Sequence, residues 1–149
     1  MRWYRAGFTL PEVLITMTIM AVTTGMAVPH IHKTLEREAV RGAKVTLATH
    51  IARARGVAAS RGCHGVMHVF DGSDSRVWVT SCSLTGAGVD TVGMVDGLSD
   101  RYGVSISTST NSITFSPIGL AISGWFEAEL SKGDTVDTLA VSAAGRRLW

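Results

Sequence analysis

Three sets of residues in this 149-residue chain could do chemistry. The first is a single carboxylate, Glu12, set near the start of the apolar run Phe8–Val28. An ionised carboxylate in an apolar helix costs roughly 2.5–3.5 kcal/mol at the membrane centre, so it calls for a cationic or hydrogen-bonding partner. The second is the only pair of cysteines, Cys63 and Cys82. The third is the tail Gly145-Arg146-Arg147-Leu148-Trp149, in which two cations beside an indole could hold a phosphate and stack on a base, or could pack as a structural end.

Other chemistry lacks its parts. Of the five histidines, His64 and His68 are expected to share a strand face, but no carboxylate or thiolate completes a metal-ligand set at a recognisable spacing. No glycine-rich phosphate loop, nucleophile elbow or zinc signature occurs. The expectation is a chain with no catalytic site, no cofactor and no metal.

The element that carries Glu12 has the length of a membrane crossing. Twenty-one residues from Phe8 to Val28 rise about 31 Å as a helix, against a hydrocarbon core of about 30 Å. Only seven residues precede the run, and two of them are arginines. The run is too long for the 7–15-residue core of a secretory signal, although Gly25-Met26-Ala27 would offer a cleavage site. Pro11 suits a first helical turn. Gly25 and Pro29 should loosen or kink the helix where it leaves the membrane.

Beyond Ile31 the helical period continues without membrane hydrophobicity. Val40, Ala43, Leu47, Ile51, Ala54 and Ala58 form an apolar stripe of the kind a domain buries, with Lys33, Arg37, Arg41, Lys44 and Arg55 beside it. Gly56 and Gly62 mark where the helix should end.

After Gly62 the period becomes that of strands. The segments HGVMHVF and RVWVTSC read as a hairpin. Centring its turn between Gly72 and Ser73 sets Phe70 opposite Ser75, His68 opposite Val77 and Val66 opposite Val79. The same register sets Cys63 opposite Cys82, which favours a disulfide closing a 20-residue loop, contributing about 3 kcal/mol. Two free buried thiols, or a metal site, are the other readings of the pair. Residues 84–103 read as a long loop with a short strand at Val92–Val95. Two further hairpins are expected, one turning at Asn111-Ser112 and one at Ser131-Lys132-Gly133-Asp134.

The formal charge is +2, with 14 Lys+Arg against 12 Asp+Glu, but its distribution says more than its sum. Lys33–Arg61 holds seven cations and two anions, whereas Gly62–Gly145 holds three cations and nine anions. A chain beginning at Phe8 would lack Arg2 and Arg5 and would be neutral. Such bipolarity suits packing between copies; solvated charge on two separate surfaces is the other reading.

Gly7-Phe8-Thr9-Leu10-Pro11-Glu12, followed by VLITMTIMAV, resembles the leader of type IV prepilins and pseudopilins. The resemblance implies cleavage by a prepilin peptidase between Gly7 and Phe8, N-methylation of Phe8, and an ion pair between Glu12 and the new α-amino group of a neighbouring subunit. The segment IARARGVAASRGCHGV is similar to the helix-to-strand turn of GspH/FimT-type minor pseudopilins. Ala54-Arg55 and Ser60-Arg61-Gly62 stand in corresponding places, while Gly56-Val57-Ala58 departs from that family's pattern. ITFSPIG and the terminal AVSAAGRRLW resemble the same family's carboxyl half.

The implied fold is α+β and pilin-like: a long N-terminal helix, membrane-spanning in its first half, packed on an antiparallel two-layer β domain. The expected organisation is a cleaved leader at 1–7, a transmembrane and polymerisation helix at 8–30, its amphipathic periplasmic half at 31–61 and a periplasmic β-rich domain at 62–149. The implied function is a non-enzymatic subunit of a type II secretion pseudopilus or a type IV pilus. It would sit in the inner membrane with one pass, and its partners would be other pilins, the prepilin peptidase and the inner-membrane assembly platform. The alternative is a FimT-like minor pilin that binds DNA for uptake through Arg146 and Arg147, although Leu148 stands where that family's second tail arginine is expected.

Overall fold

This computed structural model describes residues 8–144 and 147–148, the side chains of 26–30, 147 and 148 excepted. One helix, α1, runs Leu10–Arg61. The chain divides into two compact units at Leu35/Glu36, and each is taken by itself.

In the first unit α1 begins at Leu10, one residue before Pro11, whose missing N–H is no loss in an opening turn. Thr9 carbonyl oxygen accepts from the backbone N–H groups of Glu12 (3.1 Å) and Val13 (3.2 Å). Gly25 and Pro29 both fall within the helix. Among the described residues no helix is long and apolar enough to cross a membrane. The expected crossing at 8–30 includes residues 26–30, whose side chains are outside the description, so the described apolar stretch stops at Gly25.

Among the described residues, the second unit holds, besides the end of α1, nine strands and a short helix. They are β1 (Gly65–Phe70), β2 (Arg76–Cys82), β3 (Val89–Thr91), β4 (Asp96–Gly97), α2 (Leu98–Tyr102), β5 (Ser105–Thr108), β6 (Ser112–Phe115), β7 (Phe126–Lys132), β8 (Thr135–Val141) and β9 (Arg147–Leu148). They make two antiparallel sheets. One runs β3-β2-β1-β6, with β4 also on β2; the other runs β5-β7-β8-β9. All six residues of the helical stripe are buried, and they share a single core with Met67 and Val69, Val77 and Val79, Ile113 and Phe115, and Phe126, Leu130, Leu139 and Val141 of the two sheets. The α+β expectation is thereby met: the helix residues from Val40 to Ala58 pack on antiparallel sheet.

The helix ends at Arg61 because Gly62 turns into the left-handed region (φ 66°), where a side chain would be strained. Three residues later β1 starts in direct contact with the helix. A Cβ on Gly65 would lie 2.2 Å from the Ala54 carbonyl oxygen, so only glycine admits this approach.

Four expectations about the strands fail, each for a physical reason. The first hairpin is shifted by one residue: Met67 pairs with Val79, Val69 with Val77 and Phe70 with Arg76. The expected register would have set Met67 against Trp78, matching a core side chain to an outward one, and a slip of one reverses the faces. The connection is instead a five-residue loop tied to neighbouring backbone. Gly72 N–H donates to Ile106 O (2.8 Å), and the buried Ser75 hydroxyl donates to Val104 O (2.9 Å).

His64 precedes β1, so it does not share a strand face with His68. The short strand expected at Val92–Val95 is displaced to β3 before it and β4 after it, since Gly93 takes φ 86° and breaks the extended path.

The second expected hairpin does not form. β5 joins β7 in one sheet and β6 joins β1 in the other. A tight two-residue hairpin needs positive φ in its turn. No glycine lies between Ser109 and Asn111, and no non-glycine residue among the described ones has positive φ. The chain therefore turns a corner: Ser109 N–H donates to Glu127 O, while Asn111 O accepts from Val69 N–H, both at 2.9 Å. The third hairpin forms, with Gly133 (φ 57°) in the two-residue turn between Lys132 and Thr135.

Candidate functional site

The leader and first turn of α1 hold the residues singled out for processing and assembly. Gly7 lies outside the described residues. Phe8 and Glu12 are exposed, and Glu12 stands in the first helical turn. A carboxylate there stands beside the unsatisfied N–H groups of the opening turn. An apolar bilayer charges roughly 2.5–3.5 kcal/mol for an ionised carboxylate at its centre, so in lipid Glu12 would need a cationic or donor group.

Around Glu12 the helix is prepared for apolar surroundings. Threonine hydroxyls are the remaining polar groups of this stretch, and four of them donate to the helix's own carbonyls. Thr16 reaches Val13 O at 2.9 Å, Thr18 reaches Ile15 O at 2.8 Å, Thr23 reaches Ile19 O at 2.9 Å and Thr24 reaches Met20 O at 2.7 Å. Each donor is satisfied without water. Their neighbours Leu14, Ile15, Met17, Ile19 and Met20 all point outward.

At the far end of α1 the two cysteines are joined, Cys63 to Cys82, with Cα atoms 6.3 Å apart. They do not face each other across the hairpin as expected. Cys82 pairs with Val89 of β3, and Cys63 reaches it from the turn that follows the helix. The bond thus staples the helix end to the end of β2. Arg61 adds to the staple by donating to the Cys82 carbonyl (2.6 Å) from 3.9 Å beside Asp90.

The basic residues beside the helical stripe have different roles. Lys44 donates to both oxygens of Asp137 on β8, at 2.8 and 2.9 Å, and Arg55 lies 5.8 Å from the Phe115 ring centroid. Arg37 and Arg41 remain exposed. In the tail, Arg146 and Trp149 lie outside the described residues, and the backbone of Arg147 pairs with Val141 at the edge of the β5-β7-β8-β9 sheet.

The histidines separate. His68 stacks on Trp78 (ring centroids 5.2 Å apart) and its Nε2 lies 2.9 Å from Thr80 Oγ1; partial burial lowers its pKa below the usual histidine value. His50, which the stripe of apolar residues did not single out, is buried in α1 with Nε2 2.6 Å from Asp96 Oδ2. Its position, three residues after Leu47 and one before Ile51, was the sequence signal for that burial. Among the described residues, no three His, Cys, Asp or Glu side chains are grouped to hold a metal ion.

Residues 4–28 match the prokaryotic N-terminal methylation motif. No curated protein sequence matches the chain significantly. The fold is similar to the crystal structure of the type IV minor pilin FimU of Pseudomonas aeruginosa (strain PAO1) in space group P21, with 15% identity, a TM-score of 0.60, and 75% of this chain and 88% of that chain covered. A second crystal form of FimU, in space group P65, aligns at 13% identity and a TM-score of 0.53 over 75% of this chain and 90% of that one. An N-terminal methylation motif thus leads into a fold similar to that of a type IV minor pilin.

Proposed function

We propose that the protein is a non-catalytic minor pilin or pseudopilin of GspH/FimT type, a structural subunit of a type II secretion pseudopilus or of a type IV pilus. A prepilin peptidase cuts between Gly7 and Phe8 and Phe8 is N-methylated. The helix holds the subunit in the inner membrane with residues 62–149 in the periplasm until the assembly platform extracts it among other pilins. Glu12 then pairs with the α-amino group of Phe8 on a neighbouring subunit and sets the axial register of the helices.

The observation that carries this reading is the surface of α1 from Leu10 to Gly25. Its apolar side chains face outward and the hydroxyls of Thr16, Thr18, Thr23 and Thr24 are satisfied internally, leaving Glu12 as the one ionisable side chain in the stretch. A surface of that kind is stable against lipid or against like helices, and it is unsuited to water. The cysteines support an exported domain, since disulfides persist in oxidising compartments.

Two measurements test it. Mass spectrometry of the purified protein should find an N-terminus at N-methylated Phe8; a mature chain beginning at Met1 or Val28 would overturn the processing scheme. Glu12→Gln should remain membrane-bound while co-assembly with other pilins, followed by cross-linking or filament recovery, falls at least tenfold. Normal co-assembly of that variant would remove Glu12 from the mechanism.

A further inference from the structure

Alternation gives the hairpin of β1 and β2 two different faces. Met67, Val69, Val77 and Val79 point into the core, so His68, Phe70, Arg76, Trp78 and Thr80 point away from it. On that outer face lies an open groove of about 360 Å³, lined by Phe70, Asp74, Arg76, Trp78, Thr91 and Val95. Opposite Arg76 on β4 stands Gly97, which brings no side chain to cover the face. Phe70 and Val95 in the walls are 54% and 48% exposed.

The groups that line the groove are fixed in advance. His68, the cross-strand partner of Trp78, stacks on one face of the indole, and its Nε2 is held 2.9 Å from Thr80 Oγ1. The groove lies to the other side of the indole, where β3 and β4 flank β2 with Thr91 and Val95. Arg76 Nη2 and Nε donate to the two oxygens of Asp74 at 2.7 and 3.2 Å. That pair is neutral as a whole but not exhausted. A guanidinium and a carboxylate have more donor and acceptor sites than these two bonds use, so free donors and free acceptors stand side by side. Fixed side chains lose little conformational freedom when a ligand arrives.

The combination discriminates between ligands. An anion would be repelled by Asp74 and a cation by Arg76, while a purely apolar group would strip water from both without replacing its hydrogen bonds. A hydroxyl donates and accepts at once, so neighbouring hydroxyls on a sugar ring match an acceptor set beside a donor. The same ring carries C–H groups on its flat face, which pack on the negative face of an aromatic ring. We propose that the groove is a binding site for a neutral saccharide: one sugar ring lies against Phe70 and Trp78, its hydroxyls bond to Asp74 and Arg76, and Thr91 and Val95 form the far wall. Its volume is at the small end of ligand clefts, which suits a short stretch of a polysaccharide rather than a folded partner. The inference goes beyond the assembly reading and does not depend on it, since none of the six lining residues lies on α1.

The test uses the full-length chain in lauryldimethylamine oxide, a detergent without a sugar headgroup. Cellohexaose, chitohexaose and maltohexaose, all uncharged, are titrated to millimolar concentration by ligand-observed NMR, with hexagalacturonate as the anionic control. At least one neutral oligomer should bind saturably and more tightly than the control. Phe70→Ala and Arg76→Ala should each weaken it at least about tenfold without moving the melting temperature, because both side chains are more than half exposed. If either variant melts early, Val95→Glu, which sets an anion on the far wall, should give the same loss. Absence of saturable binding by all three neutral oligomers overturns the site, as does binding that these variants leave unchanged. Tighter binding of hexagalacturonate than of the neutral oligomers overturns the assignment to an uncharged ligand.

Discussion

Leu14, Ile15 and Ile19 in the first unit are 57%, 58% and 58% exposed, whereas Leu47, Ile51 and Ile113 in the second are 1% exposed or less. The residue types are the same, and in Leu14 and Leu47 they even sit on the same helix. What differs is what the rest of the chain offers each segment. Residues 40–58 face two sheets that each bring one apolar face, so the stripe is covered by its own chain. Leu10–Gly25 has no such cover among the described residues. Its hydroxyls are folded back on the helix, which leaves an apolar surface suited to a medium or a partner supplied from outside. The second unit buries its apolar residues by folding, whereas the first leaves its own exposed among the described residues.

Core truncation separates the two most sharply. Phe115→Ala should destabilise the β domain by about 3–5 kcal/mol, because Phe115 is fully buried between helix and sheet. Leu14→Ala should shift the same thermal transition by less than about 0.5 kcal/mol, as an exposed position does. Equal losses at both sites, measured by thermal melting in detergent, would mean that the first unit is also held by intramolecular packing.

Opening the staple between Cys63 and Cys82 comes next. Replacing both cysteines with alanine should cost about 3 kcal/mol through the freed loop of about 20 residues and should lower the melting temperature of the β domain alone. Unchanged melting after reductant would show that Arg61 and β1 hold the helix end without it.

A smaller effect is expected where the helix meets β8. Lys44→Met should cost about 1 kcal/mol, since Asp137 keeps 43% of its side chain in water and solvent screens the pair. The loss should shrink at high salt. A salt-independent loss in denaturant titrations would assign the effect to packing of the lysine stem.

The smallest is a pH dependence. Partial burial lowers the His68 pKa below its unfolded value, so the folded state binds its proton less readily. The contribution to stability is therefore fully present above the unfolded pKa of about 6.5 and is lost as pH falls from there through the folded pKa. His68→Phe should flatten that part of the stability profile while keeping the stack on Trp78. An unchanged slope between about pH 6.5 and 5 in His68→Phe would place the titrating group elsewhere.

Much of the fold is legible in the order of residues alone, and the parts that are not share a cause. The stripe from Val40 to Ala58 is readable because each helical residue is assigned to a face by its own position in the period. The third hairpin is readable because Gly133 supplies the positive φ a two-residue turn needs. The hairpin expected at Asn111-Ser112 fails because alternation marks the strands there, while the turn between them keeps negative φ and hands β5 and β6 to different sheets. The first hairpin slips by one because its loop is set by distant backbone, Ile106 and Val104, which no local window contains.

Residue identity and spacing along one element are enough to settle the leader motif, the position of Glu12, the helical stripe and the number of cysteines. Tertiary packing alone settles the strand register, the division of β5 and β6 between two sheets, and the route by which Cys63 reaches Cys82. Those depend on which edges and faces remain open once every other strand has been placed, a competition among segments far apart in the chain that no single segment encodes.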